Sequence, residues 1–440
     1  MLIQIPFVLA LLSNVAPSDA NLFARGSDSL RRVHHHAAKR SASFARDLRT
    51  TFGSIFVEQN SDTNKLGSAR VYCVSSPSNN GTSLTNGTSP IPSSPATFAP
   101  TPSATGSQSN GTSARPTSSA SGASPSGTSI PSSPWKVVQS FQGNSFFTGW
   151  DFFTGGDPTN GQVTYVDQST AQKAGLVSIN SAGNAIMRVE TTAQVATTRQ
   201  SVRITTSKTY TGGLVIMDSV HMPTGCGTWP AFWSNGPNWP AGGEIDIVEG
   251  VNDYTNNQAT IHTNPGCTIP TSNANQLGVT GTLVGGTNCA AAQTGNQGCG
   301  VRASQTNSFG AAFNNNGGGV YAMQWDNSGI SIFFFPRNSV PSDITNSAPQ
   351  PDSWGQPMAF WPSSGCDPFK FFYQHSAIFD TTLCGDWASS AWTGSGIPGQ
   401  EQSCAQRTGV STCEEFIRNN GAAFNEAYWE VKSVKIYQTS

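Results

Sequence analysis

Charge is what this 440-residue chain has least of: 23 Lys/Arg and 25 Asp/Glu make up only 11% of it. Its larger part, 135–440, carries 13 Lys/Arg against 20 Asp/Glu, a balance of −7, without a basic cluster. Nucleic acid needs a concentrated positive face, so it is excluded as a partner, and a neutral polymer fits better. Past the first twenty residues no apolar run approaches the length that spans a bilayer, so no membrane partner is expected after leader removal. No Cys-x-x-Cys spacing of the metal-binding kind occurs. Nothing else asks for a metal or cofactor, and none is expected. Residues beyond 134 hold no Asn-x-Ser/Thr sequon.

What is present falls into four stretches. Residues 1–20 read as a secretory signal: Leu2 to Leu12 is mostly apolar, and Ser18-Asp19-Ala20 offers small residues for cleavage, although Lys and Arg are missing from the start. A secreted product, extracellular or in the cell wall, follows. Residues 21–74 form a basic segment, with nine Lys/Arg against four Asp/Glu from 21 to 70. Lys39-Arg40-Ser41 suits a propeptide-cleaving protease and suits a merely solvated segment equally well, and His34-His35-His36 reads as part of a polar tract. Residues 75–134 are Ser, Thr, Pro and Gly with almost no large apolar side chain, so they cannot offset their ordering entropy and read as a disordered linker. The sequons at Asn80, Asn86 and Asn110 all fall there; they fit a glycosylated linker and are also what chance gives in Ser/Thr-rich sequence.

Residues 135–440, about 300 in all, suit one all-β unit. Short alternating runs recur between Gly, Asn, Asp and Pro: 162–167, 185–189, 202–204, 214–217, 320–325, 330–335 and 428–437. That spacing predicts a β-sandwich with little helix, Cys413 to Ile417 being the one short helix expected. Eight of the nine cysteines lie here, an even set that implies four disulfides in a secreted chain, with 105 connectivities left open. Cys73 is left over. A monomer is expected.

The chemistry concentrates in Gly243-Glu244-Ile245-Asp246-Ile247-Val248-Glu249-Gly250. β-Branched residues between glycines make it a strand, and a strand sends alternate side chains to opposite faces. Glu244 and Asp246 share one face; Ile245 and Ile247 point into a core. Strict alternation would bury Glu249 among the isoleucines, an expensive place for a carboxylate. A β-bulge at Ile247-Val248 would return it to the acid face. Glu244 and Glu249 then have Cα atoms roughly 13 Å apart. Inclined side chains would close the carboxyls to about 5–5.5 Å, the separation of retaining glycoside hydrolysis. The bland alternative is a solvent-facing strand or a calcium cluster.

The order Glu-x-Asp-x-x-Glu on a strand resembles the active-site strand of glycoside hydrolase family 16. The flanks, Gly212-Gly213-Leu214 through His221 to Trp233 and then Asn238-Trp239-Pro240, resemble its fungal endo-1,3(4)-β-glucanase (laminarinase-type) branch. The resemblance covers most of 135–440 and none of 1–134. It implies a concave, lectin-like β-jelly roll whose curved sheet forms a cleft for β-glucan. It implies Glu244 as nucleophile, Glu249 as acid/base and Asp246 as their hydrogen-bonding neighbour. Trp229, Trp233 and Trp239 are candidate sugar-stacking residues. The first and last precede Pro and read as cleft walls in turns, while Trp233 is evenly balanced between core and cleft. His262 matches a family histidine on the next strand, and Trp387, in the matching stretch Ile378 to Ala388, is a further cleft candidate; His221 reads as structural. Gln324 stands where relatives often carry Glu, which puts local hydrogen bonding in doubt. Two rivals remain: a wall-remodelling β-glucan transglycosylase using the same acids, and a non-catalytic lectin-like module, which would not need all three. A structural wall glycoprotein has only the linker in its favour.

Overall fold

The computed structural model describes residues 133–439. The signal, basic segment and nearly all of the linker, with their sequons, His34–His36 and Cys73, lie outside the described residues.

Two antiparallel sheets make the architecture. The back sheet runs β16 (Ala359–Pro362), β15 (Gly329–Pro336), β14 (Gly319–Asp326), β8 (Gly213–His221), β18 (Tyr428–Thr439), β5 (Ala185–Arg188) and β4 (Val177–Ile179), with β1 (Trp135–Gln142) also paired to β18. The front sheet runs β12 (Thr282–Val284), β13 (Cys299–Arg302), β11 (Gln258–His262), β10 (Glu244–Glu249), β9 (Thr228–Asn235), β17 (Ser376–Leu383), β7 (Arg203–Thr206) and β2 (Trp150–Phe152). A small parallel pair, β3 (Val163–Tyr165) and β6 (Arg199–Ser201), stands apart. Each expected run is a strand.

Alternation decides what each face buries. Val215 and Met217 of β8, Tyr321, Met323 and Trp325 of β14 and Ile436 of β18 join Phe232, Ile245, Ile261 and Phe379 of the front sheet in one core between the sheets. Phe379 is 4.4 Å from Phe232 and 5.2 Å from Trp429, centroid to centroid, so aromatic packing bridges the layers. Each such side chain contributes about 1.5–3 kcal/mol by leaving water. The outward residues of the back sheet are apolar too: Leu214, Ile216, Val320, Ala322, Phe333 and Tyr437 form a second core with Ile344, under the strap 337–354. Trp354 closes it, 5.3 Å from Phe333 and 5.5 Å from Phe335.

Helix is more frequent than expected. Cys413–Asn419 is helical, as are Gln168–Lys173, Gly310–Asn315, Gly385–Ser390 and other short segments. Side-chain caps explain several of them: Asp167 accepts from the amides of Ser169 and Thr170, and Ser403 and Gln406 form a capping box. The four disulfides are Cys226–Cys404, Cys267–Cys366, Cys289–Cys299 and Cys384–Cys413. Two of them, 226–404 and 384–413, sit in a third cluster with Trp392, Phe416 and Ile417.

Candidate active site

The register of β10 against β9 slips by one residue between Asp246 and Val248: Asp246 pairs with Trp233, yet Val248 pairs with Phe232 and Glu249 with Ala231. Ile247 is the extra residue. The bulge therefore lies where the parity conflict required it, and Glu244, Asp246 and Glu249 all face outward while Ile245, Ile247 and Val248 are buried in the core. Register carries the same outward face across the sheet, through Trp229, Ala231, Trp233 and Asn235 of β9, Ile378, Asp380 and Thr382 of β17, Arg203 and Thr205 of β7, Thr260 and His262 of β11, and Arg302 of β13.

Most of the predicted residues converge here. The Trp229 indole donates to Glu249 Oε1 at 2.8 Å and meets Trp387 edge-on at 5.7 Å. Trp229 stands inside β9 rather than in a turn; Pro230 is tolerated because it lies past the end of the β9–β10 register. Trp233 pairs with Asp246 and stands half-buried on the acids' side of the sheet. Trp239 is 45% exposed in the turn before β10. His262 Nε2 lies 3.4 Å from Asp246 Oδ2 and 3.9 Å from Glu244 Oε1. One donor atom each from Glu244, Asp246 and His262 falls within 4.8 Å of the others, a spacing open to a cation as well as to a shared proton. His221 is elsewhere, stacked on Tyr428 and bonded to Glu426. Gln324 bonds Asp326 on the back sheet, so its departure does not reach the acids.

A glycine makes room for His262. Gly298 has φ +61°, and a Cβ there would lie 2.5 Å from the Ile261 carbonyl oxygen and 2.8 Å from His262 Nδ1. Its amide is held by Thr294 Oγ1, and the loop that carries it is closed by Cys289–Cys299.

Burial and mutual repulsion hold protons on the acid row. Glu244 is pushed up to about 8 by burial and by Asp246, while His262, the Trp239 indole and Arg203 pull it back. Asp246 is raised well above the usual carboxylate range by burial and then by Asp380. Glu249 is raised likewise, by burial and then Asp246, with the Trp229 indole opposing. Near neutrality the row thus carries fewer charges than carboxylates.

The outward face is also short of hydrogen bonds. Of ten buried side-chain polar atoms without a partner among the described residues, seven lie on it: Arg203 Nε, Trp233 Nε1, Asp246 Oδ2, Thr260 Oγ1, His262 Nδ1, Arg302 Nε and Asp380 Oδ1. Each costs about 1–3 kcal/mol. A polyhydroxylated ligand would supply the missing partners. Arg203, Arg302 and Asp380 were not singled out from sequence. Their signal was a lone charge in an otherwise uncharged strand of a charge-poor chain.

Comparison with known proteins places the chain among relatives. The family model described as "XgeA-like, catalytic GH16 domain" matches residues 150–437. A probable glycosidase of Schizosaccharomyces pombe is 43% identical over 313 residues, 70% of this chain and 71% of that protein. A probable endo-1,3(4)-beta-glucanase of Aspergillus clavatus is 45% identical over 311 residues, 70% of this chain and 47% of that protein, so the match spans about half of that relative. Among solved structures, laminarinase 16A from Phanerochaete chrysosporium, with glucans in its donor and acceptor sites, superimposes with a TM-score of 0.62 at 39% identity, covering 69% of this chain and 99% of that one. An elongating family 16 beta-1,3-glucosyltransferase gives 0.61 at 38% identity, covering 69% of this chain and 100% of that one.

Proposed function

The chain belongs to glycoside hydrolase family 16, and from that premise we propose that it is a secreted, endo-acting β-glucanase that cleaves β-1,3- or mixed β-1,3/1,4-glucan with retention. The register slip at Ile247 carries this reading, because it alone brings Glu249 to the side of Glu244.

In the proposed reaction a glucan lies across the outward face with its rings against Trp229, Trp233 and Trp239. The Glu244 carboxylate attacks the anomeric carbon while Glu249 gives its proton to the glycosidic oxygen, so the C–O bond breaks and a glycosyl ester forms on Glu244. Glu249, now ionised, takes a proton from water; that water attacks the anomeric carbon and frees Glu244. The charge has reason to settle on Glu244, which has the imidazole of His262 nearby and the field of Arg203. Asp246, between the two, keeps a second negative charge costly on either glutamate, so that a proton stays in the site for Glu249 to give. No step uses a metal.

Product analysis on laminarin, lichenan and cellulose side by side tests the reading. New reducing ends and short oligomers are expected from the first or the second, and inertness toward all three would refute it. The likeness to a glucosyltransferase that elongates glucans favours a second outcome, transfer to another sugar instead of water. Incubation with oligosaccharide alone separates the two, since only transfer yields chains longer than the starting one. The four disulfides and the leader-like start support secretion; among the described residues no helix is long and apolar enough to cross a membrane.

A further inference from the structure

Asp380 lies on the outward face without a part in the scheme above. It is buried on β17, with Arg203 opposite it on β7 and Ala231 opposite it on β9. Ala231 in turn faces Glu249. The residues on either side of Ala231 on that face of β9 are Trp229 and Trp233, so its methyl group is the one low point between two indoles. Asp380 Oδ1 has no partner, and Oδ2 is 3.5 Å from the Tyr165 hydroxyl, a long contact. Arg203 is held by aromatic faces, its guanidinium carbon 4.9 Å from the ring centres of both Phe153 and Trp233, and its Nε has no partner either. A buried carboxylate and a half-buried guanidinium whose Nε is shut from water, each incompletely bonded on neighbouring strands, cost the fold stability. A purely structural role gives no reason to keep them.

We propose that Asp380 and Arg203 are a charge-setting pair for the acid row: the Asp380 carboxylate, acting across Ala231, holds the proton on Glu249, and Arg203 limits that pull. Both are positioning residues that act on Glu249 from the neighbouring strands of the same face, beyond Ala231. The inference rests on the roles proposed for Glu244 and Glu249. The groups facing Asp380 are Arg203 on β7, Tyr165 on β3, Asp157 in the preceding turn, Trp233 on β9 and Asp246 on β10. Those facing Glu249 are Asp246, Trp229, His262 and Glu244. Burial lifts Asp380 to about 7, Arg203 lowers it and Asp157 raises it, so its charge appears in the neutral range.

The sign follows. Glu249 is an acid only while protonated, so the rate falls on the alkaline side as it ionises. Removing the negative charge of Asp380 makes that ionisation easier; removing the positive charge of Arg203 makes it harder. Profiles of kcat/KM against pH on soluble β-1,3-glucan, with thermal unfolding alongside, are recorded for the full chain and for Asp380→Asn, Arg203→Gln and Glu249→Gln. The alkaline limb should move down by about 0.5–1 pH unit in Asp380→Asn and upward, by less, in Arg203→Gln. Should Asp380→Asn not fold, the direction in Arg203→Gln decides. Limbs that stay in place, or move the same way in both, overturn the inference even if rates drop. An inactive Glu249→Gln with unmoved limbs sinks this inference alone, whereas an active one sinks the underlying roles as well.

Discussion

The two sheets treat their outward faces in opposite ways. On the back sheet Leu214, Ile216, Val320, Phe333 and Tyr437 point out and are roofed by the strap 337–354 into a second core. On the front sheet the corresponding positions hold four acids, two arginines, a histidine and tryptophans, and most of the unpartnered buried polar atoms of the described residues collect there. One face adds stability and the other gives it up. That contrast points to the uncovered face as the working one, because a fold keeps unmet hydrogen bonds and raised carboxylates where a ligand will meet them.

The largest expected effect would separate the faces outright. Glu244→Gln or Glu249→Gln should cut glucan turnover roughly 1000-fold or more while the protein stays folded and still binds glucan. Turnover within tenfold of the parent in either variant would end the role assignments. Phe333→Ala on the roofed face should do the reverse: about 3–4 kcal/mol lost in urea unfolding, with kcat per folded molecule unchanged. A smaller unfolding shift would mean that the strap closes over the gap.

Gly298→Ala probes the support behind the row. Its positive φ and the close approach to Ile261 and His262 predict a stability loss of about 1–3 kcal/mol and roughly a tenfold fall in kcat, read by thermal unfolding and initial rates. Equal kcat would show that His262 is not needed in its present place. pH sharpens the contrast further. A carboxyl raised in the folded state favours folding fully below its unfolded value and loses that contribution as pH climbs through the folded one. For Glu244 the window runs from 4.5 to about 8. The melting temperature should therefore decline across this interval in the parent and decline less in Glu244→Gln; parallel curves would contradict the burial argument. Trp239→Ala should show the least: KM up a few-fold by loss of a stacking surface, with stability within about 0.5 kcal/mol, since the side chain is already exposed.

Local patterns exposed much of this in advance. The runs 214–217, 320–325 and 428–437 alternate, and they are strands of the back sheet. Glu249 revealed the bulge because a lone carboxylate cannot sit on the parity of Ile245. Relations set by distant register stayed hidden. Nothing near Arg203 in the chain announces Asp380, which meets it only because β7 and β17 are neighbours. Disulfide partners were closed for the same reason; Cys226 finds Cys404 across 178 residues. Pro230 misdirected the reading of Trp229: proline usually ends a ladder, and here it stands past the β9–β10 ladder while still paired with Thr381 of β17. The short helices escaped because a single capped turn, such as the one after Asp167, shows no repeating apolar face.

The loop behind His262 links the chemistry to the history of the chain. Cys289 and Cys299 are both wholly buried in the finished fold, and Cys299 is laid against Ile261 within the sheet. An oxidant cannot reach them there, so their bond has to form while β11 and β13 are still coming together. A cell that oxidises the thiols too late would deliver a sandwich with its back intact and its imidazole unsupported. For this protein the choice of expression compartment, not only the presence of the acids, decides whether a preparation is competent.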